Sequence, residues 1–269
     1  MAVHTTLIRR ENRLMQAELD RLRAARRAQL ESCCTRAEPF PGGTAFFTPE
    51  HPVKWELNLV LLDDATDRSA AELIAEVDRV QGGADLSHRR LEFAGAGGHL
   101  REGFLEAGWL AEELLIMVLR SGADRRGEGE RADVREAPFD AIRPLAERWH
   151  GEGMNAEVAR AVIDADELTL RALDGRCLLA ERDGAPAGYV TVSRRKGGFS
   201  EIEQVCTAPE QRSHGVASAL VRAAIALGRE QGDVLYILAD ADDWPHKLYE
   251  RLGFETAGRR YGFTRPGPG

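Results

Sequence analysis

Residues 202–222 read Ile-Glu-Gln-Val-Cys-Thr-Ala-Pro-Glu-Gln-Arg-Ser-His-Gly-Val-Ala-Ser-Ala-Leu-Val-Arg. This stretch predicts a strand over Ile202–Thr207, a turn of small and polar residues, and a long helix that begins at Val216. Such a junction directs several backbone N–H groups and the positive end of a helix at one point, which suits an anion such as a pyrophosphate. Gly215 lets the backbone approach that anion closely, and Arg212 adds charge and paired donors.

The turn reads Arg212-Ser213-His214-Gly215-Val216-Ala217. It resembles the acetyl-coenzyme A signature of the GNAT superfamily of N-acetyltransferases, Gln/Arg-x-x-Gly-x-Gly/Ala, and the preceding Thr207–Glu210 is similar to the family's entry from strand to loop. A second block, Trp244–Phe254, resembles the family's helix that ends in Leu-Tyr-x-x-Leu-Gly-Phe. Two such blocks in this order, about 30 residues apart, identify residues 132–266 as similar to the superfamily.

The resemblance implies an α/β (α+β) fold in which a mixed central β-sheet, flanked by helices, splays between two strands near Val205 and Ala239. The pantetheine arm of the cosubstrate acetyl-CoA would lie in the opening, and its pyrophosphate would lie on the turn before the helix. The sequence departs from the family pattern at Ser213, where many members have Gly, and at His214, which adds bulk. The coenzyme-binding residues implied are Val205, Cys206, Thr207, Arg212, Ser213, His214, Gly215, Val216, Ala217 and Ser218.

The family transfers acetyl directly from the thioester to an amine, which requires a base, oxyanion donors and an acid for the leaving thiolate. Tyr249 stands at the family's tyrosine position and is the candidate acid; the alternative is that it packs on the coenzyme for shape. Glu201 and Glu203 lie two apart on a strand and share a face, so either is a candidate base, or both are ordinary sheet carboxylates. The backbone amide near Val205 is the expected oxyanion donor.

Two further features of the second half have competing interpretations. Cys206 could be interpreted as a catalytic nucleophile, but no histidine and aspartate that would activate it lie nearby in the sequence. We therefore expect Cys206 to be a buried strand residue. The acidic residues around Ala241 would recognise a cationic substrate, or, in the simpler interpretation, Asp243 would cap the helix that begins at Pro245.

The first half repeats part of the pattern of the second. Phe104–Trp109 is similar to Tyr249–Phe254, and both segments continue for the same distance to an arginine, Arg120 or Arg265. This similarity indicates a duplicated domain. Phe104 replaces the tyrosine, and no Arg-x-x-Gly-x-Ala element precedes it. We therefore expect a degenerate GNAT-like half, as in tandem GNAT proteins, that covers the active half or shapes the acceptor pocket.

The predicted organisation is an N-terminal amphipathic helix (1–38), a degenerate GNAT-like domain (39–120), a polar linker (121–131) and an acetyl-CoA-binding GNAT domain (132–269). The helix is free of Gly and Pro over residues 5–32. It would pack on its own domain or across a homodimer. Contact of its arginines with nucleic acid is the alternative, since residues 1–36 hold eight Arg against four Asp and Glu.

Composition limits the class of protein. The chain is 43% hydrophobic and 30% charged, as in globular proteins, and its net charge of −8 argues against general nucleic-acid binding. It has no apolar run long enough to cross a membrane and no signal segment, so a cytoplasmic location is expected. The four cysteines form no Cys-x-x-Cys motif, and no metal is expected.

Together these patterns predict an N-acetyltransferase that moves acetyl from acetyl-CoA to the primary amine of a small molecule or peptide. The alternative is a non-catalytic acyl-CoA-binding sensor or interaction protein with the same fold. Tyr249 separates the two hypotheses, because only a catalyst needs its hydroxyl. Regulation through nucleic-acid binding by the N-terminal arm is a third hypothesis.

Overall fold

A computed structural model describes residues 2–63, 67–93, 97–120 and 132–267, with side chains from residue 14 onward. The predicted linker at 121–131 and part of the glycine-rich turn at 94–98 lie outside these ranges. The helices are α1 (Ala2–Cys33), α2 (Ala70–Gly83), α3 (Arg101–Glu106), α4 (Phe139–Gly151), α5 (Ala156–Ala172), α6 (Val216–Glu230) and α7 (Pro245–Arg251). The strands are β1 (Arg36–Phe40), β2 (Gly43–Phe47), β3 (Leu59–Leu62), β4 (Arg89–Phe93), β5 (Leu110–Leu119), β6 (Asp133–Ala137), β7 (Arg176–Arg182), β8 (Ala185–Arg195), β9 (Phe199–Thr207), β10 (Val234–Asp240) and β11 (Phe254–Arg265).

These strands form one mixed sheet in the order β1-β2-β3-β4-β11-β5-β10-β9-β8-β7-β6. The pairs β3–β4 and β9–β10 are parallel, and the other neighbours are antiparallel. Each parallel pair is joined by a crossover that contains a helix, α2 in the first half and α6 in the second, as such connections require. The predicted mixed sheet flanked by helices is confirmed.

The two halves exchange their last strands at the centre of the sheet. β11 lies between β4 and β5 of the first half, and β5 lies between β11 and β10. The two strands pair from Leu110–Thr264 to Leu119–Phe254, so the repeated segments of the sequence face each other. The segment after Gly253 is a single 12-residue strand. A register shift between Thr256 and Gly258 marks a bulge within it.

Helices cover both faces of the sheet, and alternate side chains of β5 contact helices on opposite faces. Leu115 and Met117 pack with buried residues of α6 and α7. Ile116 and Val118 pack against α1. Farther along the sheet, α2 and α3 lie on the same face as α6 and α7, and α4 and α5 lie on the same face as α1. A strand that is apolar on both faces is typical of a sheet covered by helices on both sides.

Helix α1 packs on its own chain. It buries Leu22 and Ala25 over the middle of the sheet and Leu30 over β2 and β3. Its buried Arg26 donates to both carboxylate oxygens of Glu92, each at 2.9 Å. Within the described ranges, none of the helices combines the length and the apolarity that a bilayer crossing requires.

Candidate active site

The parallel strands β9 and β10 separate at one end. Their ladder stops at the pair Ile202–Ile237, while β9 continues to Thr207 and β10 to Asp240. A bulge in β9, with Gln204 at φ 51°, shifts its register against β8 at the same place. Bulges of this kind often redirect a strand beside a functional site. The opening lies where the sequence predicted the sheet to splay, near Val205 and Ala239.

The corresponding pair in the first half has no such opening. The β3–β4 ladder reaches Leu62–Phe93, which are the last residues of both strands. The backbone edges of these strands are therefore paired to their ends. A pantetheine arm would have no free strand edge to bind there.

The N-terminus of α6 lies next to the opening and presents free backbone donors. Gly215 is the residue before the helix and has φ 81°, a left-handed conformation that favours glycine. No side chain caps the helix there. The first-turn N–H groups have no acceptor within a helix, so this end is suited to an anion. Arg212, with an exposed side chain, precedes it.

The equivalent helix terminus in the first half is closed by the chain's own carboxylate. Ser69 caps α2, and the Glu72 carboxylate accepts from the Ser69 backbone N–H at 2.8 Å and from its hydroxyl at 2.7 Å. A negative charge thus occupies the position that an anion would take. This arrangement supports the prediction that the first half does not bind coenzyme.

A cavity of about 400 Å³ brings the predicted catalytic residues together. It is lined from both faces of the sheet and continues through the opening between β9 and β10. The second half contributes Glu201, Glu203, Val205, Ala239, Asp243 and Tyr249. Residues of α1 and of the first half complete it, namely Arg26, Gln29, Lys54, Glu56, Leu57, Arg90 and Glu92. The sequence singled out none of these first-half residues.

Tyr249 lies on α7, on the far side of the opening from the two glutamates. It is buried against Phe254, with ring centroids 6.3 Å apart. Burial, with a smaller contribution from Asp243, raises the pKa of Tyr249 to about 12. The hydroxyl is therefore protonated at neutral pH, as a proton donor must be. Phe104, at the matching position of the first half, is a core residue stacked on Phe263 at 4.1 Å.

The two candidate bases have different environments. Glu201 is buried, and its Oε2 accepts from Arg195 Nη2 at 2.8 Å and from the Tyr236 hydroxyl at 2.6 Å. Burial opposes its ionisation, but Arg195 holds the pKa of Glu201 below its usual value. Glu203 keeps 32% of its side chain exposed and accepts from Ser193 at 2.8 Å. Burial and the neighbouring Glu201 charge raise the pKa of Glu203, although Arg195 opposes the shift.

Arg195 and Tyr236 are functional candidates that the sequence reasoning missed. Arg195 is the last residue of β8, before the turn formed by Gly197 and Gly198. A two-glycine hairpin fixes the register of its strands, so it could have placed Arg195 diagonally opposite Glu201. Tyr236 pairs with Glu201 across the β9–β10 ladder, a contact that no local pattern indicates.

The accessible charge in the cavity is negative. Its cations lie at the back in ion pairs, and their side chains are at most 17% exposed. Lys54, for example, lies 2.6 Å from Asp166 on α5. The Glu56 side chain is 51% exposed to the cavity. Its position within the cavity walls opposes ionisation, but the positive charges of Lys54 and Arg90 outweigh this and lower the pKa of Glu56 to about 2. The surface offered to a ligand therefore favours a cation.

Of the two remaining predictions for the second half, the one for Cys206 is confirmed and the one for Asp243 is wrong. Cys206 is buried, and burial raises the pKa of its thiol to about 12, so the buried strand residue is confirmed. The predicted cap by Asp243 is wrong. Trp244 precedes α7 without a side-chain cap, and the Asp243 carboxylate accepts only from the adjacent Trp244 N–H at 2.7 Å. Asp243 instead lines the cavity.

The residues predicted to bind coenzyme lie on two elements beside the opening. Val205, Cys206 and Thr207 follow the end of the β9–β10 ladder, and residues 212–218 surround the start of α6. The Cys206 side chain belongs to the core cluster under α4 and α5, so only its backbone faces this region. The roles assigned to these residues, and to Tyr249, Glu201 and Glu203, stay predictions.

Comparisons with known proteins agree with this architecture. Residues 139–254 match the profile of the Acetyltransferase (GNAT) family. The chain is 33% identical over 141 residues to a mycothiol acetyltransferase of Nocardia farcinica, a match that covers 49% of this chain and 40% of that protein. Its structure resembles a GCN5-related N-acetyltransferase from Kribbella flavida, with TM-score 0.64, 17% identity, and coverage of 93% of this chain and 96% of that one. It also resembles a tandem GNAT protein from the clavulanic acid biosynthesis pathway, with TM-score 0.52, 19% identity, and coverage of 74% and 70%.

The fold has two halves built around one sheet, and the parallel strand pair of the second half opens at one end. Residues 139–254 thus match the GNAT family profile, and the fold of the chain is similar to that of a tandem GNAT protein. It spans 40% of the length of the curated relative that it matches.

Proposed function

We propose that this protein is an N-acetyltransferase that uses acetyl-CoA and acetylates a primary amine held between its two halves. The observation that carries the proposal is the cavity that joins Glu203 and Tyr249 through the β9–β10 opening. The match of residues 139–254 to the GNAT family profile supports acyl transfer in general. The uncapped, glycine-led terminus of α6 suits the pyrophosphate of the coenzyme.

In the proposed reaction, Glu203 is the base, the backbone near Val205 stabilises the oxyanion and Tyr249 is the acid. Acetyl-CoA supplies the acetyl thioester when it is bound. Glu203 takes a proton from the acceptor ammonium, directly or through water, so that the neutral amine can attack the carbonyl carbon. The backbone N–H near Val205 donates to the carbonyl oxygen as its negative charge develops. As the carbon–sulfur bond breaks, Tyr249 donates its proton to the departing thiolate, and its raised pKa keeps that proton in place until then. The second proton of the attacking nitrogen is lost as the amide forms and restores the Tyr249 hydroxyl, so that the proton held by Glu203 is the one released to solvent.

The acceptor side of the cavity supports a cationic small molecule or peptide amine. Glu56 from the first half and Glu203 from the second are the charged side chains with the most exposed surface among the ion-paired groups of this cavity. An ammonium group is attracted to such a site before it is deprotonated. Similarity to a mycothiol acetyltransferase supports a small-molecule acceptor.

Calorimetric titration with acetyl-CoA is expected to give one site per chain. The second half has an open cleft and an uncapped helix, whereas the first has a complete ladder and a carboxylate at the matching helix end. Gly215→Glu is expected to weaken binding by about 100-fold or more, since it strains a left-handed position and adds a negative charge at the anion site.

The matched control for this titration is Gly232→Glu. Gly232 also has a positive φ, 74°, but it follows the other end of α6 with open space around it. Its replacement shares the backbone strain and should leave the affinity for acetyl-CoA unchanged. Two sites per chain would contradict the degenerate first half, and unchanged affinity in Gly215→Glu would contradict the assigned anion site. No binding at all would favour the interaction protein.

Tyr249→Phe is expected to lower kcat by about 100-fold, the smaller end of the range for loss of a general acid. The affinity for acetyl-CoA should stay the same, because the ring and its packing against Phe254 are retained. Steady-state kinetics and calorimetry on the same preparation measure the two effects. Tyr261→Phe, on β11 outside the cavity, is the control. A variant with full turnover would assign Tyr249 to packing alone and favour the sensor hypothesis.

A further inference from the structure

One guanidinium nitrogen joins the two candidate bases. Arg195 Nη2 lies 2.8 Å from Glu201 Oε2 and 2.9 Å from Glu203 Oε2, and Arg195 Nε adds a second bond to Glu201 at 3.0 Å. The Arg195 side chain is completely buried. A buried cation is costly unless it is neutralised, and here two carboxylates share one positive charge.

The bonds are divided unequally between the two carboxylates. Glu201 Oε2 accepts from Arg195 twice and from the Tyr236 hydroxyl once, so a ligand proton would reach that oxygen only after those bonds break. Glu203 shares one Arg195 nitrogen and the Ser193 hydroxyl, and it remains partly exposed to the cavity. The Glu201 side chain is 6% exposed and the Glu203 side chain 32%, so Glu203 is the better placed of the two to receive a proton from an acceptor.

We propose that Glu201 and Arg195 are positioning residues for Glu203: Glu201 neutralises Arg195 and so keeps Glu203 basic enough to take the acceptor's proton. The proposal rests on the proposed acetyl transfer and divides the work within it. If Arg195 faced Glu203 alone, its full charge would stabilise the carboxylate and weaken it as a base. With Glu201 bound to the same guanidinium, the pair contributes little net charge at Glu203.

Other titratable groups interact with Glu203 from α1, the segment before Trp55, β8 and β10, and they are Cys33, Lys54, Arg195 and Tyr236. The cations among them are Lys54 and Arg195, while burial raises the pKa of Cys33 and of Tyr236 and keeps both protonated at neutral pH. Glu201 is the anion that interacts with Glu203, and its negative charge raises the pKa of Glu203. Removal of the Glu201 charge therefore has a definite sign: the proton affinity of Glu203 must fall.

The test is a carbon-13 NMR titration of the full chain labelled at the glutamate carboxyl carbons, with the Glu203 signal assigned by its loss in Glu203→Gln. Wild-type Glu203 is expected to titrate above the ordinary glutamate value of about 4.3. Glu201→Gln, which keeps the shape and can still accept hydrogen bonds, should lower that midpoint by about one unit or more, a tenfold loss of proton affinity. The Glu201→Asp variant retains the negative charge, so the Glu203 midpoint should return most of the way to its wild-type value.

The Ser193→Ala variant should shift the titration midpoint of Glu203 in the opposite direction, and it replaces one small residue by another. It removes a hydrogen bond to the Glu203 carboxylate and should raise the midpoint. It also keeps the proposal testable if Glu201→Gln proves unstable. A wild-type midpoint at or below the ordinary value, or a Glu201→Gln midpoint that stays or rises, would overturn the proposal. Because the readout needs no turnover, an absence of acetyl transfer to any amine would refute the proposed function separately.

Discussion

Removal of residues 1–120 is expected to leave residues 121–269 without a stable fold. The deletion takes away β5, whose ten residues fill the space between β10 and β11. Leu115, Ile116, Met117 and Val118 are all buried there. At about 1.5–3 kcal/mol for each buried apolar side chain, β5 alone contributes about 6–12 kcal/mol, which is comparable to the whole stability of a domain. Loss of α1 also uncovers Tyr236 and Phe199.

Circular dichroism in the near ultraviolet and amide hydrogen exchange would measure this loss of packing. Residues 1–125 and 126–269, expressed together as separate chains, are the matched control. Because the break lies in the predicted linker, the two chains should assemble through the β5–β11 pair and restore acetyl-CoA binding. A soluble and fully active 121–269 fragment would show that the first half neither completes the sheet nor shapes the acceptor site.

Glu203→Gln is expected to lower kcat/KM by about 10²–10⁴-fold, the range for removal of a general base. The affinity for acetyl-CoA should change little, since the proposed coenzyme contacts begin two residues later, at Val205. Burial and Glu201 raise the pKa of Glu203, so wild-type activity should fall on the acid side at a higher pH than an ordinary glutamate would give. That acid limb should disappear with the carboxylate.

A carboxylate outside the cavity controls for the loss of charge. Glu181 is on β7, in a surface ion pair with Arg135 at 2.8 Å, and Glu181→Gln should retain full activity. The assignment would be wrong if Glu203→Gln kept its rate with its best acceptor. It would also be wrong if the loss occurred only in Glu201→Gln with the Glu203 midpoint unchanged, because Glu201 would then be the base.

Local sequence was sufficient to predict the strand, turn and helix that lie beside the opening. The strand, turn and helix around Gly215 follow from the alternation of side chains, a left-handed glycine and a run of good helix formers, all within about 30 residues. The capped start of α2 at Ser69 follows from the same kind of local hydrogen bonding. Such features depend on neighbours in the chain, so a pattern in the sequence predicts them.

The partners of β5 and β11 could not be predicted in the same way. The repeated segments indicated a duplication, but residues 114–119 of β5 are apolar on both faces and could pair with any free edge. Their mutual pairing joins residues such as Leu110 and Thr264, which are distant in the chain. Only the assembled sheet, in which β11 pairs with the free edge of β4 and β5 pairs with the free edge of β10, selects this exchange.

The amino-acid sequence was enough to predict the fold, the place where β9 and β10 separate and the shared face of Glu201 and Glu203. Folding was needed to show which first-half residues, such as Lys54 and Glu56, line the cavity, and how the two glutamates differ. The difference comes from Arg195 and Tyr236, which bind Glu201 on neighbouring strands and leave Glu203 partly exposed. Proton affinity depends on burial and on charges brought close by folding, whereas helix starts and turns depend on adjacent residues.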